Sequence, residues 1–214
     1  MQKVLYENEV YLYKNTTNFN KYKESIIDEC IEIIKNKPDV EFDNYDCFHK
    51  YNDLTFLGEI EIKSKLDEIL DFGIKQCIEV YNIEYNLPFN RIDVDCWINR
   101  IRAKNPVQFQ GIVSDSHRYH THTELEKERG IFTPHFTWVY YIQTPDNLEG
   151  DDGTLFLKGK DGKEYSILPE EGDFIIMSSD LPHAPQWALN STKDRIVLAG
   201  NVGFEFIKNK KSLI

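Results

Sequence analysis

The hydrophobic period of this chain changes once, at about Ile92, and that change constrains its fold more than any other feature. Upstream, Phe19, Tyr22, Ile26, Ile27, Cys30, Ile33 and Ile34 recur at the 3.6-residue spacing of an amphipathic helix. Asn18 is placed to cap that helix and Pro38 lies beyond its end. A second helical pattern runs from about Glu59 to Tyr85, with Leu66, Ile69, Leu70, Ile74, Cys77, Ile78 and Tyr81 on one face. Downstream, the pattern breaks into short strands: RIDVDCWINRIRA, PVQFQGIV, SHRYHTH, HFTWVYYIQ, GTLFLKG, EYSIL, GDFIIMS, APQWAL and DRIVLAGNVGFEF. Asp146-Asn147, EGDDG at 149–153, KDGK at 160–163 and PEEGD at 169–173 supply the turns. Many short strands at such spacing predict a sandwich or jelly roll. The expected class is therefore α+β, mainly β, with two supporting helices outside one sandwich.

The remaining segments fit around that plan. Residues 1–17 alternate weakly and predict an edge strand or hairpin arm, while residues 38–53, PDVEFDNYDCFHKYND, read as polar and irregular. No repeat or linker divides the chain, so the expectation is a single domain over 1–214. Residues 1–91 would form the helical support and 92–207 the β core.

Composition narrows the function classes. Hydrophobic residues make up 41% and charged residues 29% of the 214, a globular rather than disordered balance. The 25 basic and 36 acidic side chains leave a net charge of −11, which repels phosphate backbones and disfavours nucleic acid as a partner. With no apolar run of membrane-spanning length and no signal-like h-region in MQKVLYENEVYLYK, a cytoplasmic location is expected. Cys30, Cys47, Cys77 and Cys96 have no metal-site spacing and read as buried free thiols.

The chemistry-bearing residues concentrate in the β region. Five of the six histidines lie between His117 and His183. In RYHTHTE, 118–124, an extended backbone would place His120, His122 and Glu124 on one face, which makes the row either a solvated edge or part of a metal site. His183 follows the apolar strand DFIIM, in LPHAPQW, and Arg195 opens the next apolar strand. Alternation puts Arg195, Val197, Ala199 and Asn201 on one face. An inward Arg195 requires an anionic partner, because an unpaired buried guanidinium is costly, and a dicarboxylate matches its fork. His135 reads as a structural residue at a strand edge and His117 as solvated. The acidic turn at Glu149–Asp152 lacks the ligand spacing of a calcium loop.

In this order HTHTE, FTWVYYIQ, EGDDGTLFL, LPEEGDFIIM, LPHAPQW and DRIVLAGNVGF resemble the double-stranded β-helix oxygenases that depend on Fe(II) and 2-oxoglutarate. The likeness spans about residues 95–206 and is strongest to the prolyl-hydroxylase-like members. It implies metal ligands drawn from His120, His122, Glu124 and His183. The usual His-x-carboxylate pattern gives His122, Glu124 and His183; a bacterial and phage branch carrying HTHP gives His120, His122 and His183. It further implies that Arg195, aided by Tyr141, binds the far carboxylate of 2-oxoglutarate. Thr137, Asn99 and Asn201 stand on inward phases where they could hold a ligand oxygen. The family oxidises protein side chains, nucleobases or small metabolites with O2, usually by hydroxylation. The irregular 38–58 and 124–135 segments are the candidates for substrate contact. Two rival readings keep the jelly roll: a cupin-type metal enzyme without 2-oxoglutarate, and a non-catalytic binding module.

Overall fold

A computed structural model describes residues 10–14, 19–36, 40–42, 45–56, 62–103, 119–123, 135–188 and 190–206. In chain order the elements are β1 (Val10–Tyr13), α1 (Phe19–Asn36), β2 (Val40–Phe42), β3 (Tyr45–Phe56), α2 (Lys65–Glu84) and β4 (Phe89–Ile101). They continue with β5 (Phe136–Gln143), β6 (Leu155–Lys158), β7 (Glu164–Ile167), β8 (Phe174–Ser178), β9 (His183–Pro185) and β10 (Arg195–Phe206). Seven strands form one sheet in the order β1-β8-β5-β10-β4-β3-β2, and three form a second in the order β7-β6-β9. Every strand pair is antiparallel.

The central strands of the large sheet are buried on both faces, which explains their near-continuous apolar sequences. On one face, Trp138, Tyr140, Ile142, Ile196, Leu198 and Val202 join a core with the inward faces of α1 and α2. On the other, Val139, Tyr141, Val197 and Ala199 pack against Leu155, Leu157 and Ile167 of the small sheet. The helix α2 seats itself on the sheet at Gly73, where an added Cβ would lie 3.3 Å from the Trp138 and Phe174 rings. Gly200 of β10 flanks the same indole, its absent Cβ only 2.7 Å from Trp138 and from the Asp95 carbonyl. Two glycines thus make the slot for a fully buried tryptophan.

Local chemistry sets the element ends. Ser64 caps α2 by accepting from the Asp67 amide at 3.2 Å, and the Asp67 carboxylate accepts in return from the Lys63 amide at 3.0 Å. At the other end Asn86 turns the chain with φ of 49°, ahead of Pro88. Before β8, Gly172 adopts φ of 85° and its amide donates to the Tyr141 carbonyl at 2.8 Å, tying the turn to β5. The buried Asp173 carboxylate accepts from Lys14 at 2.7 Å and from the Glu170 amide at 2.9 Å.

Both expected helices are present, and β1 is the expected N-terminal edge strand. The expected cap Asn18 and the PVQFQGIV strand lie outside the described residues. Three expectations change. Residues 38–53, read as irregular, contain β2 and most of β3, which pairs with β4 along its length. Pairing there is carried by the backbone near the sheet margin, so the polar sequence gives little alternation to read. Of SHRYHTH, the described residues 119–122 contribute only an isolated bridge, between His120 and His183, and His122 lies in a bend. APQWAL is strand only as far as Pro185. No helix among the described residues is long and apolar enough to cross a membrane.

Candidate metal centre

The interior face of the large sheet carries the site, and strand register assigns its rows. Asn99, Val197 and Tyr141 form one cross-strand row of β4, β10 and β5. Trp97, Ala199 and Val139 form the next, and Asp95, Asn201 and Thr137 the one beyond. Arg195 opens β10, two residues before Val197, and therefore shares this face.

Three histidines gather against the Trp97 row. His183 opens β9, and its backbone exchanges two hydrogen bonds of 3.1 Å with His120, adding that residue to the edge of the small sheet. The amide of His122 donates to the Ser179 carbonyl at 3.0 Å, which bends the chain back over the sandwich. The His122 ring stacks on Trp97, at a centroid distance of 5.6 Å and an interplanar angle of 20°. One ring nitrogen from each of His120, His122 and His183 falls within 4.8 Å of the others. His122 and His183 are buried and His120 is exposed, so the cluster opens to solvent on one side.

The donor chemistry fits a divalent transition metal. His183 Nδ1 lies 3.0 Å from the Leu181 carbonyl, which can only accept, so Nδ1 carries the hydrogen and Nε2 presents its lone pair. That backbone anchor is a common support for a metal-bound imidazole. His183 Nε2 stands 3.3 Å from His122 Nε2. Two nitrogens each about 2.1 Å from one ion, at octahedral to tetrahedral angles, would be separated by about 3.0–3.4 Å. Burial, reinforced by the proximity of His120, pushes the His183 pKa down to about 3, which keeps this imidazole neutral as a ligand must be. Glu124 and His117 lie outside the described residues.

A second polar feature sits further along the same face. Arg195 is only 8% exposed, and its guanidinium carbon lies 5.4 Å from the Tyr141 ring centroid. No ion pair joins it among the described residues. The Tyr141 hydroxyl is buried, and the group it interacts with is the neighbouring Arg195 guanidinium. Burial raises its pKa, an effect that the Arg195 charge partly offsets. Arg195 and the Tyr141 hydroxyl thus set two donors side by side in the interior, an arrangement whose chemistry suits an anion.

The other expected residues separate. Thr137 donates to Asn201 Oδ1 at 2.8 Å, so these two engage each other on the row beyond Trp97. Asn99 faces the interior in the Arg195 half of the sheet, half-buried. His135 accepts the Phe204 amide at 3.2 Å through Nδ1 and packs against Tyr81, in keeping with a structural role. Sequence reasoning missed Trp97 and Ser179. Trp97 shares the phase of Asn99 and is open to the same alternation argument, whereas the Ser179 contact with His122 is made by a backbone carbonyl, which leaves no residue signature.

No protein-family model matches the sequence, and no curated protein matches it significantly. Solved structures do match. A prolyl-4-hydroxylase from Pseudomonas putida superposes with a TM-score of 0.58 at 16% identity, over 94% of each chain. A 2OG-Fe(II) oxygenase family oxidoreductase from Burkholderia pseudomallei gives 0.58 at 13% identity, over 97% of this chain and 90% of that one. A Trichoplax adhaerens prolyl hydroxylase, solved with a hypoxia inducible factor oxygen degradation domain peptide fragment, gives 0.58 at 12%, over 91% and 83%. In fold, this chain is similar to these two prolyl hydroxylases and this oxidoreductase.

Proposed function

We propose that the chain is an Fe(II)- and 2-oxoglutarate-dependent oxygenase on a double-stranded β-helix, hydroxylating a protein side chain or a small molecule. Residues 92–207 would be its catalytic core and 1–91 the support. The observation that carries this reading is the co-occurrence, on one interior face, of a three-imidazole cluster and a buried guanidinium with no ion-pair partner among the described residues. The prolyl hydroxylases among the structural neighbours favour a peptide substrate.

His122 and His183 belong to both expected ligand sets; we assign the third position to His120, whose ring nitrogen is already in the cluster, rather than to Glu124. Bound iron, with 2-oxoglutarate and O2, supplies the oxidising power, the cosubstrate being decarboxylated to succinate. The protein's part is binding and orientation. The Leu181 carbonyl fixes the His183 tautomer, and Trp97 sets the plane of His122. Arg195 receives the far carboxylate in a charge-assisted hydrogen bond, with the Tyr141 hydroxyl as a further donor. Ala199, beside Trp97, and Arg195 are four residues apart on β10, about 13 Å of strand, which a five-carbon dicarboxylate and an arginine side chain would span together. Val139, Val197 and Leu155 line the same apolar interior and exclude water.

An all-histidine donor set also suits a cupin-type enzyme that needs no 2-oxoglutarate. Anaerobic Fe(II) titration with and without 2-oxoglutarate separates the readings. The weak visible charge-transfer band of the iron–2-oxoglutarate chelate is expected only when both are present. Stoichiometric iron without the band favours the cupin reading, and failure to bind iron favours a non-catalytic module.

A further inference from the structure

The turn joining β8 to β9 holds two of the three clustered histidines by different means. Its Ser179 carbonyl accepts the His122 amide at 3.0 Å, fixing that backbone. Its Leu181 carbonyl accepts His183 Nδ1–H at 3.0 Å, fixing that ring. A distortion that moves Ser179 relative to Leu181 therefore changes the separation of the two Nε2 atoms. The β5–β8 ladder ends at Phe136 opposite Ser178, so Ser179 is the first residue past regular pairing. Its amide donates to the His135 carbonyl at 3.1 Å.

Side chains continue the attachment where the ladder stops. Ser179, Thr137 and Asn201 are at most 1% exposed and come from the turn, β5 and β10. The single hydroxyl hydrogen of Thr137 is committed to Asn201 Oδ1 at 2.8 Å. Ser179 must therefore supply the hydrogen in its 3.3 Å contact with Thr137. The result is a directional relay, Ser179 to Thr137 to Asn201, running from the turn to the central strand of the sheet.

We infer that Ser179, Thr137 and Asn201 are positioning residues, which lock the 179–182 turn and through it the spacing of His122 and His183. This rests on reading those histidines as metal ligands, and it gives Thr137 and Asn201 a role other than contact with a cosubstrate. Partners that orient ligands from behind typically change metal affinity when removed, by roughly 10- to 100-fold.

The test is anaerobic Co(II) titration of the metal-free full chain, followed by calorimetry and by the cobalt d–d spectrum, which reports ligand geometry. Thr137→Val should weaken Co(II) binding by roughly 10- to 100-fold and alter the spectrum. Thr137→Ser, which keeps the hydroxyl, should restore both. Val80→Ala, in the helix-facing core, is the control for general loosening and should bind Co(II) as the wild type does. Ser179→Ala removes the donor at the other end of the relay and gives the same readout if Thr137→Val does not fold. Wild-type affinity and spectrum in either folded variant overturn the inference, as does equal weakening in Val80→Ala. A wild-type chain that binds no Co(II) overturns the metal reading instead.

Discussion

Replacing Arg195 with methionine separates the cost of burying the guanidinium from the work it does. Arg195 is 8% exposed with no ion pair among the described residues, so no described carboxylate offsets the cost of burying its charge. Exchanging buried charged groups for apolar residues of similar size is often stabilising, by about 1–4 kcal/mol. In a domain of this size each kcal/mol moves Tm by about 2–4 °C. The variant should therefore melt at least about 2 °C higher than the wild type when nothing is bound. Ligand reverses the order. With redox-inert Mn(II) bound, 2-oxoglutarate at about 100 times its Kd should stabilise the wild type by about 2.7 kcal/mol. Truncating one partner of a buried charge pair costs about 2–5 kcal/mol of affinity, roughly 30- to several-thousand-fold. At the same concentration the variant should then gain less than about 1 kcal/mol. Thermal denaturation with and without Mn(II) and 2-oxoglutarate reads both effects. A variant that is less stable when empty, or that keeps the full ligand-induced shift, refutes the reasoning.

Two further predictions concern stability. Burial lowers the His183 pKa to about 3, so between about 6.5 and 3 the unfolded chain binds the proton that the folded chain refuses. Stability of the metal-free protein should therefore fall as pH drops through that window, by up to about 1.4 kcal/mol per pH unit; urea midpoints at pH 7.5 and 5 measure it, and His183→Phe should flatten the slope. Gly200→Ala places a methyl 2.7 Å from a backbone carbonyl and from the Trp138 ring, neither of which can yield without moving β4 or the helix layer. It should cost about 1–3 kcal/mol or more, whereas an unchanged denaturation midpoint would mean that the slot around Trp138 is not closed.

Legibility in the sequence followed the reach of each interaction. The helices α1 and α2 and the strands β4, β5 and β10 were readable because their apolar periods are imposed by the core on their own residues. β2 and β3 were not, since backbone pairing at a sheet margin asks little of side-chain identity. The histidines show the same division. That His120 and His122 meet His183 is accessible from residue type and order, but the stretch has the alternation of a strand. A single long-range hydrogen bond, from the His122 amide to Ser179, bends it instead. Trp97 could have been placed by counting alternate residues from Asn99, because alternation is local. The contact of Ser179 with His122 could not, because it is a carbonyl contact across 57 residues of chain.

β10 shows how a polar site is tolerated inside such a sandwich. Its even-numbered residues from Ile196 to Phe204 face the helices and, apart from Gly200, join their core; its odd-numbered residues carry Arg195, Val197, Ala199 and Asn201 toward the small sheet. The helix-side packing fixes the strand's register independently of the site, so the other face can hold groups that do not stabilise the empty protein. Arg195 is such a group, unmatched by any carboxylate among the described residues, whereas Asn201 is matched through Thr137. The two differ in what each is expected to meet. A residue satisfied within the fold serves geometry, and one left unsatisfied at burial is kept for something that arrives. By that criterion the proposed positioning role falls to the Asn201 end of β10 and the proposed cosubstrate contact to the Arg195 end. Substitutions at the two ends should therefore fail differently, the first in metal affinity and the second in 2-oxoglutarate affinity with metal binding retained.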